Sequence, residues 1–112
     1  MKSFKITALI FSIFFFIFFI YGISRVKAQT SNSANAMKII KAKGCLSCHT
    51  INGSGGSAGP NLSKEGASGH SIHWLKVQIA NPGKHFPGSI MPQFNLKPKQ
   101  LEEVAGYLAS LK

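Results

Sequence analysis

Two cysteines and a histidine stand together near the middle of the chain, in the run Cys45-Leu46-Ser47-Cys48-His49. Two intervening residues place both thiols on the same side of one helical turn, and the adjacent imidazole can then swing towards a metal held beside them. Cys-x-x-Cys-His is the pattern of covalent haem attachment, in which the thiols bond to the two vinyl groups and the histidine is an axial iron ligand. The motif therefore predicts one covalently bound haem c on Cys45, Cys48 and His49.

Three other uses of the cysteine pair fit this chain less well. A disulfide or a thioredoxin-like redox pair normally opens a helix in a βαβ setting, which the sequence does not predict. A zinc site uses four ligands, and the chain has only two Cys. Free structural thiols are uncommon outside the cytoplasm, where the N-terminal segment described below directs the chain. Haem attachment is the interpretation that agrees with the adjacent histidine.

A second axial ligand must come from a distant part of the chain or be absent. The side chains able to supply it are Met37, His70, His73, His85 and Met91. Met91 lies in an irregular segment with prolines on both sides, where a rigid extended backbone can hold a thioether against a metal. Met37 is predicted on a helix too close to the attachment site, and the histidines lie in polar stretches typical of surface imidazoles. Met91 is the predicted ligand, with His85 as the runner-up.

The N-terminal segment is too apolar to be stable in contact with water. Lys2 and Lys5 precede Ile6–Ser24, which is 19 residues without a charge. Such a run is typical of an export signal or a membrane anchor. Val26 and Ala28 place small residues three and one before a cut after Ala28, so the sequence favours cleavage there over an uncleaved anchor. Both alternatives place the rest of the chain outside the cytoplasm, in the periplasm or on the outer face of the cytoplasmic membrane.

The remainder divides into a polar linker over residues 29–35 and one domain over residues 36–112. From Gln29 onward the chain holds 21 large apolar side chains, which is a thin supply for a core. Domains this short often need disulfides, a metal or a cofactor. Two cysteines exclude a multi-disulfide scaffold, and the length excludes an enzyme with separate cofactor and substrate domains.

Apolar residues recur at helical spacing in three segments, residues 36–43, 71–80 and 98–111. Asn35 or Ser33 is expected to cap the first helix and Gly44 to end it, and Pro98 is well placed to open the last one. Asn52–Gly59 is predicted as a loop, and no stretch alternates long enough to predict a strand. The fold class is therefore all-α, with three to five helices and long loops. Long loops in so small a domain indicate that a bound group, and not side chains alone, fills its centre.

The sequence resembles the class I monohaem cytochromes c of the small bacterial kind, over roughly residues 34–112. The segments that carry the resemblance, in order, are Lys-Gly-Cys-Leu-Ser-Cys-His at 43–49, Gly-Pro-Asn-Leu at 59–62, Trp-Leu at 74–75, Asn-Pro at 81–82, Pro-Gly-Ser-Ile-Met-Pro at 87–92 and the final helix. The resemblance implies a small cytochrome c fold in which the first and last helices cross and one edge of the haem is exposed.

The resemblance also implies roles for individual residues. His49 and Met91 would be the axial iron ligands. The carbonyl of Pro60 would accept a hydrogen bond from the other nitrogen of His49, as acceptors behind metal-bound imidazoles do. Asn61 and Trp74 resemble residues that line the haem pocket.

The function that the resemblance implies is one-electron transfer between respiratory-type redox partners, without catalysis. The alternative is a haem enzyme or gas-binding cytochrome with an open sixth coordination site. Beyond residue 28 there are nine Lys and three Glu, a net charge of +6. Such a surface would steer an acidic redox partner. Nucleic acid is not an expected partner of an exported chain, and membrane contact is expected only through an uncleaved N-terminal segment.

Overall fold

The computed structural model describes the backbone of residues 2–112 and the side-chain surroundings of residues 5–22 and 32–112. The chain forms two compact units, of which the second comprises Asn32–Lys112. Helix α1 begins at Lys2 and ends at Ala42. Its segment Lys5–Gly22 is long and apolar enough to cross a membrane by length and composition. The predicted cleavage site after Ala28 lies outside the residues whose side chains are described.

The predicted linker, residues 29–35, is helical, because α1 runs through it without a break. Asn35 and Ser33 therefore lie inside the helix, and the prediction that one of them caps its start is wrong. The physical reason is that no Gly or Pro stands between Gly22 and Gly44. Small polar residues lower helix propensity by tenths of a kcal/mol but do not interrupt the backbone hydrogen bonds as proline does.

Gly44 ends α1, as the sequence predicts. It has φ 75°, a left-handed conformation that favours glycine at this position, and its N–H donates to Lys41 O over 3.1 Å. The motif turn then follows at once as a short 3₁₀ helix over Cys45–Ser47. Gly44 therefore separates the first helix from the cysteine motif.

A two-stranded antiparallel hairpin follows the motif, in a segment predicted to contain no strand. Strand β1 is Thr50–Ile51 and β2 is Ser54–Gly55, with Thr50 opposite Gly55 and Ile51 opposite Ser54. The connecting residues Asn52 and Gly53 have φ 50° and 79°. Positive φ at both positions defines the type I′ turn, for which Asn-Gly is the strongest short-range signal. The prediction of a loop over 52–59 is therefore wrong for Ser54 and Gly55, which form β2.

Helix α2 is Ile72–Ala80 and helix α3 is Pro98–Ser110. The hydroxyl of Ser71 caps α2 by accepting from Trp74 N over 3.0 Å. Pro98 opens α3, as predicted. A further 3₁₀ turn over Glu65–Ala67 packs against the end of α3 and places the Gly- and Ser-rich stretch after Pro60.

The core of the second unit is built from the apolar faces of all three helices and from β1. Its buried members are Ile39, Ile40, Ile51, Leu75, Ile79, Val104, Ala105 and Leu108. Beside it the side chain of Asn35 donates to the Glu103 carboxylate over 2.5 Å, which joins α1 to α3. Within residues 2–112 the regular structure is three α-helices, three 3₁₀ turns and the hairpin, so the all-α prediction is confirmed.

Candidate haem site

The cysteine motif folds as one tight turn. The N–H groups of Cys48 and His49 both donate to Cys45 O, over 3.3 and 3.0 Å. The Cys45 side chain is half-buried, Cys48 is exposed, and both thiols are free of disulfide bonds. Burial raises the pKa of the Cys45 thiol above its ordinary value, partly opposed by a backbone hydrogen bond. A low-dielectric setting favours the neutral sulfur at this position, and a thioether is also neutral.

His49 Nδ1 lies 2.8 Å from the carbonyl oxygen of Pro60. A carbonyl oxygen only accepts, so Nδ1 carries the hydrogen and donates it. In the neutral imidazole the remaining ring nitrogen, Nε2, then has a lone pair, and this is the tautomer that a metal requires. The structure thus shows the His49–Pro60 contact that the resemblance implies, and it prepares His49 Nε2 to bind a metal.

Gly59 packs against another side of the His49 imidazole. Its N–H donates to Cys48 O over 2.8 Å. A methyl group built on its Cα would lie 2.7 Å from Cε1 and 2.9 Å from Nδ1 of His49, closer than real Cβ contacts. Only glycine fits at this position without moving the ring. Two residues of the loop after the hairpin therefore fix the His49 ring: Gly59 by close packing and Pro60 by its hydrogen bond.

One cavity brings together Cys45, His49 and Met91, three of the four side chains predicted to hold the haem. Its volume is about 40 Å³, and it is partly open to solvent. The other lining residues are Ile39, Ile40, Lys43, Ile51, Leu62, Ile79, Phe94, Leu96, Val104 and Leu108. All of these except Lys43 are apolar. Cys45 and a metal-ready imidazole lie on an apolar wall, and Cys48 lies on the same turn as Cys45. This donor set fits the attachment of an iron porphyrin through the cysteines.

Met91 is held by contacts from two segments. Its N–H donates to Ser89 Oγ over 3.3 Å, and Gln78 Nε2 lies 3.8 Å from its sulfur. Three residues further on, Phe94 N donates to Ile79 O over 3.2 Å, which ties the segment to the end of α2. Met91 therefore lines the cavity from a backbone that is held on both sides.

The other candidate ligands do not line this cavity. Met37 packs against the core, and His73 is exposed on α2. His70 binds Glu65 Oε1 through Nδ1 over 2.7 Å. His85, the runner-up, places Nδ1 3.1 Å from Gln78 Oε1. The geometry thus favours Met91 among the five.

Two residues predicted to line the pocket lie outside the cavity wall. Trp74 is stacked between two imidazoles, with ring centroids 3.6 Å from His70 and 4.4 Å from His85. Asn61 is exposed, and its Oδ1 accepts from Ser63 N over 2.9 Å to form a local turn. Haem contact by these two residues stays a prediction.

Sequence reasoning missed Gln78, the polar side chain beside the Met91 sulfur. It lies on α2 between Val77 and the buried Ile79. The signal available in the sequence is an amide side chain between two apolar residues of a helix, because a polar group that is buried there needs a partner. The partners themselves are 7 and 13 residues away in the chain, and only the fold shows them.

Comparison with known proteins agrees with this site. A family model for cytochrome c matches residues 33–112, well over half of the chain. The fold is similar to a chain in the crystal structure of SoxXA from P. pantotrophus, with a TM-score of 0.65 and 21% identity, covering 71% of this chain and 81% of that one. At this identity the likeness concerns the fold alone. No curated protein matches the chain.

The helical fold around an apolar cavity and the cysteine motif at its edge define a c-type cytochrome domain. The chain belongs to the cytochrome c family, and it carries covalently bound haem c. The resemblance inferred from the sequence, the small cytochrome c fold and the cofactor are thereby confirmed.

Proposed function

We propose that this protein is a mobile or membrane-anchored electron carrier that works outside the cytoplasmic membrane. The observation that carries the proposal is that His49 and Met91 line one cavity with Cys45. An imidazole and a thioether from distant parts of the chain can then bind the iron together. If both side chains held the iron, substrates and oxygen would find no open coordination site.

Each residue has a defined task in this proposal. Cys45 and Cys48 would hold the haem covalently, and His49 Nε2 and the Met91 sulfur would be its axial ligands. When bound, the haem supplies reversible one-electron chemistry at its iron. Pro60 O keeps the proton on His49 Nδ1 and so fixes the ring orientation. A thioether ligand raises the reduction potential relative to a second histidine, and the apolar wall acts in the same direction because it disfavours the extra ferric charge.

The partner is proposed to be a redox protein with an acidic surface. A groove between α1 and α3 is lined by Lys38, Lys43 and Lys99. Lys43 also lines the haem cavity, so positive charge lies next to the redox site. Electrostatic complementarity of this kind speeds encounter and orients the docked pair.

Absorption spectroscopy of the holoprotein in the near infrared tests the proposal. The oxidised protein is expected to show a sulfur-to-iron charge-transfer band that disappears in Met91→Ala and persists in Met37→Leu, a matched control on the core-packed methionine. The ferrous wild-type protein should bind carbon monoxide slowly or not at all. Rapid carbon monoxide binding by the wild-type protein, together with absence of the band, would instead support the open-site enzyme or gas-binding alternative.

A further inference from the structure

The groove between α1 and α3 has the size of a small-ligand site. Its volume is about 340 Å³, and it is partly open to solvent. Pockets that hold small ligands range from about 300 to 1,000 Å³. The residues that line the groove are Asn35, Lys38, Ile39 and Ala42 of α1, Lys43 directly after it, and Lys99, Gln100 and Glu103 of α3. A molecule the size of a small anion can therefore be held between the two helices.

The charged side chains of the groove are mostly positive. Three lysines and one glutamate leave a net charge of +2 (3 − 1), and they are Lys38, Lys43, Lys99 and Glu103. The Glu103 carboxylate already accepts a hydrogen bond from the α1 side of the groove over 2.5 Å. Within the described residues the lysine that forms an ion pair is Lys76, which lies outside the groove. The ammonium groups of the groove are thus available to an anion from solution.

Lys43 belongs to two cavities at once. It lines the groove, and it also lines the haem cavity together with Cys45 and His49. Its positive charge therefore lies next to the haem site. Ferric haem carries one more positive charge than ferrous haem, so the charge of Lys43 disfavours the ferric state. An anion bound beside Lys43 would offset this effect.

We propose that the groove binds a small multivalent oxyanion and that its occupancy is linked to the redox state of the haem. An anion held by Lys38, Lys43 and Lys99 offsets positive charge next to the haem site and so stabilises the ferric state. Because linkage is reciprocal, the ferric protein binds the anion more tightly than the ferrous protein, and the bound anion lowers the reduction potential. The proposal requires bound haem, but neither ligation by Met91 nor an acidic protein partner, so it goes beyond the proposed electron carrier.

The reduction potential of the purified holoprotein, measured without any redox partner, tests the linkage. Inorganic phosphate is the probe, and chloride is reduced in step to keep the ionic strength constant, because salt screens exposed charges. The potential is expected to fall and then to level off as the groove fills. The total fall should correspond to a ferric protein that binds phosphate about twofold to fivefold more tightly, the range of exposed charge pairs. A potential that does not respond to phosphate overturns the linkage.

Substitutions of single lysines locate the effect. Lys43→Gln should lower the potential in the absence of phosphate and remove most of the response to phosphate. Lys43→Arg keeps the charge and should restore both. Lys64→Gln is the matched control, since Lys64 is exposed and lines neither cavity, and it should behave as the wild type. A full phosphate response in Lys43→Gln, or an equal loss in Lys64→Gln, overturns the proposal.

NMR of the isotope-labelled ferrous holoprotein shows where phosphate binds. Saturable shift changes in the backbone amides of residues 35–43 and 99–103 support the groove, whereas changes spread evenly over all the lysines overturn it. Lys99→Gln removes a lysine that lines the groove but not the haem cavity. It should weaken phosphate binding severalfold and leave the phosphate-free potential at the wild-type value. Unchanged phosphate affinity in Lys99→Gln overturns the proposal, even if Lys43→Gln yields no holoprotein.

Discussion

Gly59 lies directly against the imidazole of His49, with room for a hydrogen but not for a methyl group, which would approach Cε1 to 2.7 Å. Gly59→Ala is therefore expected to displace the ring from Pro60 and to lower the yield of holoprotein severalfold, measured as haem absorbance per mole of chain. Gly106→Ala is the matched control, because a methyl group there meets no atom within 4 Å. Equal yields of the two variants would contradict the packing described for His49.

Replacement of His49 itself tests the proximal ligand. His49→Ala removes the imidazole that lines the cavity, so the protein should emerge without a low-spin haem spectrum when it is expressed with haem-maturation machinery. His73→Ala changes an exposed histidine on α2 and should leave the spectrum unchanged. A wild-type spectrum in His49→Ala would refute the ligand assignment.

The core should depend strongly on Ile40, whose side chain is 1% exposed. Truncation to Ala leaves a cavity, and we expect the free energy of unfolding of the holoprotein to fall by about 2–4 kcal/mol in denaturant titrations. Ile90→Ala serves for comparison, since Ile90 is 90% exposed and its loss should cost under about 0.5 kcal/mol. Similar losses at the two positions would mean that α1 is not part of the core as described.

Salt should reveal how the protein meets its partner. If the lysines of the groove between α1 and α3 steer an acidic partner, the bimolecular electron-transfer rate falls steeply as ionic strength rises past about 0.1 M, where the Debye length is about 10 Å. Lys43→Gln should lower the low-salt rate severalfold, whereas Lys64→Gln, outside the groove, should change it less. A rate that does not respond to salt would remove electrostatic docking from the proposal.

Processing of the N-terminal segment is tested by mass spectrometry of protein purified from its native host. Cleavage after Ala28 predicts a mature chain that begins at Gln29 and is released in the soluble fraction. An intact N-terminus with the protein in the membrane fraction would show that residues 5–22 serve as an anchor. Recovery of the uncleaved protein from the cytoplasm would contradict export altogether.

Helical periodicity was sufficient to predict α2 and α3 almost to the residue. The apolar spacing of Leu101, Val104 and Leu108 requires one buried face, and Pro98 can only stand at the start of such a helix. The Cys-x-x-Cys-His spacing likewise predicts its own chemistry, because the geometry of attachment is local. Ligation by Met91 stays a prediction, which is based on the prolines that restrict the backbone around it and agrees with its place on the cavity wall.

What the sequence could not show depends on contacts between distant residues. The α1 helix continues through residues 29–35 because nothing there breaks it, although composition alone suggests a linker. The only sequence signal for the hairpin after the motif is Asn52-Gly53, because strands of two residues are too short to show an alternation of apolar and polar side chains. The place of Gln78 between two apolar residues indicates that its amide needs a partner, but only the fold shows that Met91 lies beside it. The stack around Trp74 has no local signature in the sequence.

The stack of Trp74 with His70 and His85 gives the protein an intrinsic fluorescent probe. Trp74 is the single tryptophan, and it lies flat between the rings of His70 and His85. Stacked imidazoles and a bound haem both quench indole emission, so the fluorescence of this protein should brighten when the sandwich opens and α2 moves away from the haem. Loosening of α2 next to Met91 could therefore be followed in real time without a dye.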